Sequence, residues 1–252
     1  MAARPLIEGT VLAGGLPAFS YAFQPIISAS TRTIHAYEAL VRGPAGEGAG
    51  SVLAGLDADR VNVLDRVGRP LAIAQAARLG LPCLLHLNCQ PHSLADQPQD
   101  MAPTLAAARA HGIALERLVF EATEDQAIRD HDAFAKTVNG YRALGIKIAI
   151  DDFGAGYSGL NLLAHFQPDI VKLDLDLVRG IASHGPRQAI VQAIVNACFD
   201  LGIEVIAEGI EAIEEYRWLT GVGVELFQGY LFGRPGFESL PGASFPGEAA
   251  TP

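Results

Sequence analysis

Residues 143–152 read ALGIKIAIDD, and the order of their parts decides the fold. A helical pattern runs into Gly145, an isoleucine follows at once, and an apolar run climbs to two adjacent acids. Glycine just past a helix readily takes the left-handed conformation that closes it. The run after it is short and almost wholly apolar, as suits a strand buried on both faces of a parallel sheet. The same punctuation recurs as RLGLPCLLHLN (78–88), AHGIALERLVFE (110–121) and DLGIEVIAE (200–208), which predicts helix ends at Gly80, Gly112 and Gly202 as well. Ahead of two of these glycines, Phe134, Val138, Tyr141 and Leu144, and Ile190, Ile194, Ala197 and Leu201, form apolar stripes at helical spacing.

Working outward, strands are expected at 23–27, 35–41, 83–87, 118–121, 147–151, 170–173, 204–207 and 225–227. From the third onward each alternates with a helix, the pattern of a (β/α) barrel with right-handed crossovers. The first two are separated by a short loop only, so they should form an antiparallel hairpin. The expected fold is therefore an α/β, modified TIM (β/α)8 barrel with one antiparallel strand. Residues 1–16 are read as an N-terminal extension, 17–239 as the domain, and 240–252, rich in Pro, Gly and Ala, as a disordered tail.

Composition narrows the function. The chain has 252 residues, half of them hydrophobic, and a formal net charge of −10, which excludes a general DNA or RNA binder needing a basic face. No apolar run suggests a membrane span, and no secretory signal is evident, so a cytoplasmic protein is expected. Cys83, Cys89 and Cys198 are too few and scattered for a disulfide framework or a four-thiolate zinc site. The histidines show no H-E-x-x-H spacing, and there is no G-x-S-x-G elbow. Residues 154–159 match G-x-G-x-x-G, but Asp151 and Asp152 directly before them would repel a pyrophosphate, and the helix that follows is short.

The strand ends carry the chemistry. Glu38, Asn88, Glu121, Asp151, Asp152, Lys172, Glu208 and Gln228 stand in or just after successive strands, and in a β/α barrel those ends converge on one rim. A single acid after a strand is ordinarily a helix cap or a solvated loop group. That reading covers one or two positions, not a carboxylate or amide at nearly every strand end. Carboxylates so crowded repel one another, and divalent cations relieve the repulsion; oxygen ligands favour Mg²⁺ or Mn²⁺. The adjacent Asp151 and Asp152 would let one strand end serve two metals, as in sites that cleave phosphate esters. Lys172 could lose its proton near two metals and act as a base, or stay charged and orient a hydroxide.

Eight segments in order complete the reading: FQPI (23–26), YEALVR (37–42), Asn88 in LHLNCQ, FEATED (120–125), IDDFGAGYSGL (150–160), VKLD (171–174), VIAEGIE (205–211) and QGYLFGRP (228–235). With them the chain resembles the EAL-domain family of cyclic di-GMP phosphodiesterases over roughly residues 17–237. The resemblance implies two-metal hydrolysis of cyclic di-GMP to linear 5′-pGpG by in-line attack of a metal-bound hydroxide. It assigns Glu38, Asn88, Glu121, Asp151, Asp152 and Glu208 as metal ligands, Lys172 as candidate base and Gln228 as support for the attacking water. Arg42, Gln24 and Leu40 match substrate contacts. Glu124 matches a glutamate that holds the Asp-Asp-Phe-Gly loop, and Glu211 one that supports the metal cluster. A homodimer is implied too. A catalytically silent cyclic di-GMP receptor, or an interaction module, is the competing class. Arg42 is followed by Gly-Pro and Asn88 by Cys-Gln-Pro, departures that resemble the EAL domains of blue-light-regulated members and remove no ligand.

Overall fold

The apolar runs form strands where the punctuation placed them. In a computed structural model, which describes residues 15–90, 101–123, 131–155, 163–164 and 167–246, they are β1 Ser20–Ser28, β2 Thr33–Arg42, β3 Leu84–Asn88, β4 Leu118–Thr123, β5 Lys147–Phe153, β6 Ile170–Leu173, β7 Glu204–Ala207 and β8 Leu226–Gln228. Each of β2 to β7 pairs in parallel with the next, and β1 runs antiparallel between β8 and β2 and closes the ring. The modified barrel with one reversed strand is thus the observed fold. Its helices among the described residues are α1 Ala49–Leu53, α2 Ala58–Arg78, α3 Ala102–Ala110, α4 His131–Arg142, α5 Leu175–Val178, α6 Gly185–Leu201 and α7 Ile213–Gly221. Gly145 and Gly202 have φ of 85° and 71°, the left-handed closure their position predicted.

Two apolar clusters divide the interior by the alternation of strand side chains. The larger fills the space between sheet and helices and includes Phe23, Tyr37, Leu85, Phe120, Ile150 and Val171. The smaller plugs the inside of the barrel with Ile26, Ala36, Val119, Ala149, Ile170, Ile206 and Leu226. Six of these stand two residues before a candidate site residue: Ala36 before Glu38, Val119 before Glu121, Ala149 before Asp151, Ile170 before Lys172, Ile206 before Glu208, and Leu226 before Gln228. One period of the strand therefore separates a dry plug from a polar rim.

Three expectations need correction. Leu16, assigned to an extension, is buried in the large cluster. On α6 the buried stripe is Val191, Ile194, Val195 and Cys198, whereas Ile190 is 51% exposed and Leu201 41%. The helix is apolar on two faces, and the buried stripe keeps Ile194 of the expected one but is rotated away from Ile190 and Leu201. Leu144 at the end of the α4 stripe is likewise exposed, while Val138 and Tyr141 are buried. Finally, residues 240–246 are held against the barrel. A short strand, β9 Gly236–Phe237, pairs with Phe23 and Ala22 on the edge of β1 that β8 is too short to reach. Beyond it the chain turns back. The Tyr37 hydroxyl donates to the Pro241 carbonyl at 2.7 Å, Ser244 N–H donates to the Phe232 carbonyl at 2.7 Å, and the Arg32 guanidinium lies 5.3 Å from the centre of the Phe245 ring. This strap runs along the β1–β2 hairpin, where the chain supplies no crossover helix. Residues 247–252 of the expected tail lie outside the described residues.

Deleting residues 240–252 removes three hydrogen bonds, that of Arg32 Nη1 to the Pro246 carbonyl at 3.3 Å among them, a cation–π contact and the partial burial of Leu240, Ala243 and Phe245. Hydrogen bonds contribute about 1 kcal/mol each and an exposed cation–π contact about 0.5–1 kcal/mol. A melting temperature lower by about 5–10 °C is expected by scanning fluorimetry, since 1 kcal/mol is about 2–4 °C at this size. An unchanged melting curve would show that the strap does not stabilise the barrel.

Candidate metal centre at the barrel rim

The centre is built from the inward residues at the parallel strand ends. Lys172 on β6 is 1% exposed, and its Nζ lies 2.8 Å from Glu208 Oε1, 3.0 Å from both Glu121 Oε1 and Asp151 Oδ1, and 3.6 Å from Glu38 Oε2. Burial pulls the lysine pKa down, but the four carboxylates around it prevail and hold it well above its ordinary value. The side chain is an ammonium at the centre of an acidic bowl. Burial drives the carboxyls of Glu121 and Glu208 well above the usual carboxylate range, against the pull of Lys172. Burial would raise Asp151 too, but the lysine charge and hydrogen bonds from Lys172, Glu208 and the Asp152 N–H bring it below its ordinary value.

Adjacent residues of a strand ordinarily point to opposite faces, so Asp151 and Asp152 could not both serve one rim from a regular strand. The backbone breaks the rule at this point. The β5–β6 register shifts between Ile150 and Phe153, and Asp152 has φ of 54°, in the left-handed region that non-glycine residues rarely occupy. Such strain gathers at functional sites. With this bulge, oxygens of Asp151, Asp152 and Glu208 lie within 4.8 Å of one another, and oxygens of Glu38, Glu121 and Asp151 form a second such group. Asp151 belongs to both.

The amides are oriented by Glu38. Asn88 donates from Nδ2 to Glu38 Oε1 at 3.1 Å, and Gln228 donates from Nε2 to Glu38 Oε2 at 2.7 Å. Gln228 Nε2 also reaches Gln24 Oε1 at 3.3 Å, while Gln24 Nε2 donates to the Gly233 carbonyl at 3.1 Å. Gly229 lets this strand end pass close to its neighbour, since a Cβ there would strike the backbone of Ile210. Arg42 ends β2 at the rim, half-buried, with Nη1 on the carbonyl of Val41 at 2.8 Å; Leu40 is half-buried two residues before it.

All six expected ligands, with Lys172 and Gln228, therefore gather at one rim. Glu211 does not join them. Its side chain is 52% exposed and pairs with Arg179 at 3.1 Å, because the chain has left the barrel after β7 and Glu215 has taken the Glu211 N–H. Glu124 lies outside the described residues. Two features of the site carry no motif. His86, fully buried, has Nδ1 2.7 Å from Glu121 Oε1. Burial drives its pKa down to about 3, so the ring is neutral. Its signal was positional: it stands two residues before Asn88 and so shares the inward face. Behind β3, a buried ion pair between Asp65 and Arg69 ties α2 to the segment after Asn88, with Asp65 Oδ2 accepting from the Gln90 N–H at 3.3 Å and Arg69 Nε donating to Thr104 Oγ1 at 3.1 Å.

The donor set fits hard divalent cations. It offers carboxylate oxygens and amide oxygens, with one lysine ammonium among four carboxylates, and Glu121 Oε2 and Gln228 Oε1 are buried without a hydrogen-bond partner. Among the described residues no helix is long and apolar enough to cross a membrane.

Comparison with known proteins places this rim in a known setting. The EAL domain family profile matches residues 15–235. The chain is 34% identical over 227 residues to the blue light- and temperature-regulated antirepressor BluF of Escherichia coli, covering 90% of this chain and 56% of BluF. It spans about half or less of the length of the curated relatives it matches, several of which are named cyclic di-GMP phosphodiesterases. Its fold superposes on a standalone EAL protein from Vibrio cholerae in its c-di-GMP-bound form, with a TM-score of 0.85, 44% identity, and coverage of 90% of this chain and 95% of that one. A manganese and cyclic di-GMP complex of Klebsiella pneumoniae BlrP1 gives a TM-score of 0.83 at 40% identity, covering 90% of this chain and 58% of that one.

Proposed function

Because the chain belongs to the EAL domain family, we propose that it is a phosphodiesterase that hydrolyses cyclic di-GMP to linear 5′-pGpG with two divalent cations, Mg²⁺ or Mn²⁺, at the barrel rim. The observation that carries the proposal is the pair of oxygen groups that share Asp151, one with Glu38 and Glu121 and the other with Asp152 and Glu208. In this reading these five residues and the Asn88 amide hold the cations. Bound there, the cations supply Lewis acidity toward the phosphodiester and toward a water.

The chain's own residues do the rest. Arg42 donates charge-assisted hydrogen bonds to a non-bridging phosphate oxygen and offsets charge that grows there. Gln228, fixed by Glu38 and Gln24, keeps Oε1 free to accept a hydrogen from the attacking water. Lys172 is charged among its carboxylates in the metal-free protein; beside bound cations it would orient the attacking water or accept its proton. Gln24 is occupied by Gln228 and Gly233, so its influence on substrate runs through them, with Leu40 lining the approach to Arg42. Water oxygen bonds to phosphorus, one P–O3′ ester bond breaks, and the leaving 3′ oxygen takes a proton. A homodimer and a cytoplasmic location belong to this proposal on family grounds, and sedimentation velocity tests the first.

BluF, a similar protein, is named an antirepressor, which favours a second reading in which the domain acts by binding. One assay separates the two. Protein incubated with cyclic di-GMP and Mn²⁺ is expected to yield 5′-pGpG by HPLC, and EDTA is expected to abolish the product. Micromolar binding of cyclic di-GMP by calorimetry with no product at saturating Mn²⁺ would overturn the enzyme reading in favour of the receptor.

A further inference from the structure

Glu121 is held by a histidine that belongs to no ligand set. β3 and β4 are parallel neighbours with His86 opposite Val119 and Asn88 opposite Glu121, so the His86 side chain stands beside the base of the Glu121 side chain. Nδ1 lies 2.7 Å from Glu121 Oε1, and both side chains are fully buried. With Glu121 ionised, as a metal ligand must be, two lone pairs cannot face each other at that distance, so Nδ1 carries the hydrogen and donates it. The same oxygen receives Lys172 Nζ at 3.0 Å. A carboxylate with two donors on one oxygen is fixed in its rotation. It is in this rotation that Glu121 brings an oxygen within 4.8 Å of oxygens of Glu38 and Asp151.

Lys172 cannot supply that orientation by itself. Its ammonium is shared among Glu38, Glu121, Asp151 and Glu208, so no single one of them sets its direction. His86 is anchored on a central strand inside the barrel and has Glu121 as its one carboxylate contact within hydrogen-bonding distance among the described residues. We infer that His86 is a positioning residue of the metal centre, whose Nδ1–H holds the Glu121 carboxylate in the orientation in which it meets a divalent cation. The inference rests on the proposed metal site. Metal ligands are commonly held by such partners, and losing one typically weakens metal affinity about 10–100-fold.

The test is Mn²⁺ binding to the purified full chain by calorimetry, with circular dichroism of each metal-free variant. His86→Leu is expected to keep the fold and weaken Mn²⁺ binding about 10–100-fold. His86→Asn places an amide N–H near the position of Nδ1 and is expected to stay within about threefold of the parent. In a Glu121→Gln background, His86→Leu is expected to add no further loss, because the group it orients is gone. Leucine binding within about threefold of the parent, or asparagine as weak as leucine, overturns the inference. If the leucine variant does not fold, His86→Met takes its place under the same criteria. Failure of the parent itself to bind Mn²⁺ would instead defeat the metal-site proposal and this inference with it.

Discussion

Glu38→Gln is expected to cut cyclic di-GMP hydrolysis by about 10³-fold or more while leaving the barrel folded. Glu38 has three roles at once: its oxygens accept Asn88 Nδ2 and Gln228 Nε2, it faces Lys172, and it shares a ligand group with Glu121 and Asp151. Glutamine preserves the shape but removes the charge. Its amide also turns an N–H₂ toward one of two N–H₂ groups, so Asn88 or Gln228 must reorganise. Loss of one charged ligand forfeits several kcal/mol of transition-state stabilisation, and about 4 kcal/mol corresponds to 10³-fold in rate. Product formation by HPLC, with Mn²⁺ affinity by calorimetry, reads both losses. A variant that retains full turnover would remove Glu38 from the centre.

Lys172→Met has a different signature. In the metal-free protein the ammonium is the cation that four carboxylates share, and its removal leaves buried charge uncompensated. Breaking a buried pair of this kind costs about 3–5 kcal/mol, so the apo melting temperature is expected to fall on the order of 10 °C. Mn²⁺ should restore most of that loss, because cations then neutralise the same oxygens. Activity should drop by about 10²–10⁴-fold even in the metal-loaded protein if Lys172 also orients or accepts a proton at the reacting centre. Scanning fluorimetry with and without Mn²⁺ separates the electrostatic role from the chemical one. Equal melting temperatures for the apo variant and apo parent would refute the description of the bowl.

Most of this architecture is legible in the sequence because strand alternation and glycine punctuation are local. The KIAIDD run shows its strand, its closing glycine and its acids within ten residues. What depends on tertiary cover is not legible. The strap at 240–246 is rich in proline, glycine and small residues and reads as tail, yet hydrogen bonds to Tyr37 and Phe232 hold it against the barrel. On α6 an apolar residue falls on both faces, and only the packed sheet selects Val191 over Ile190. Glu211 carries the right letter in the right motif, but its backbone has already turned outward toward Arg179. His86 has no partner at ligand spacing along the chain, because its partner Glu121 lies on the next strand. The paired acids show the limit from the other side: the sequence places two neighbours at one rim, and only a backbone at φ 54° makes both point there.

The reversal of β1 also sets at which pole the described domain begins. Ser20 pairs with Arg42 at the mouth of the bowl, so β1 starts at the rim where its parallel neighbours end. Arg32, next to which Phe245 lies, is in the hairpin at the opposite pole. The described chain therefore enters β1 beside the bowl and ends near the opposite pole, behind the plug. The polarity of a single strand thus sets the two ends of the described domain at opposite poles of the barrel.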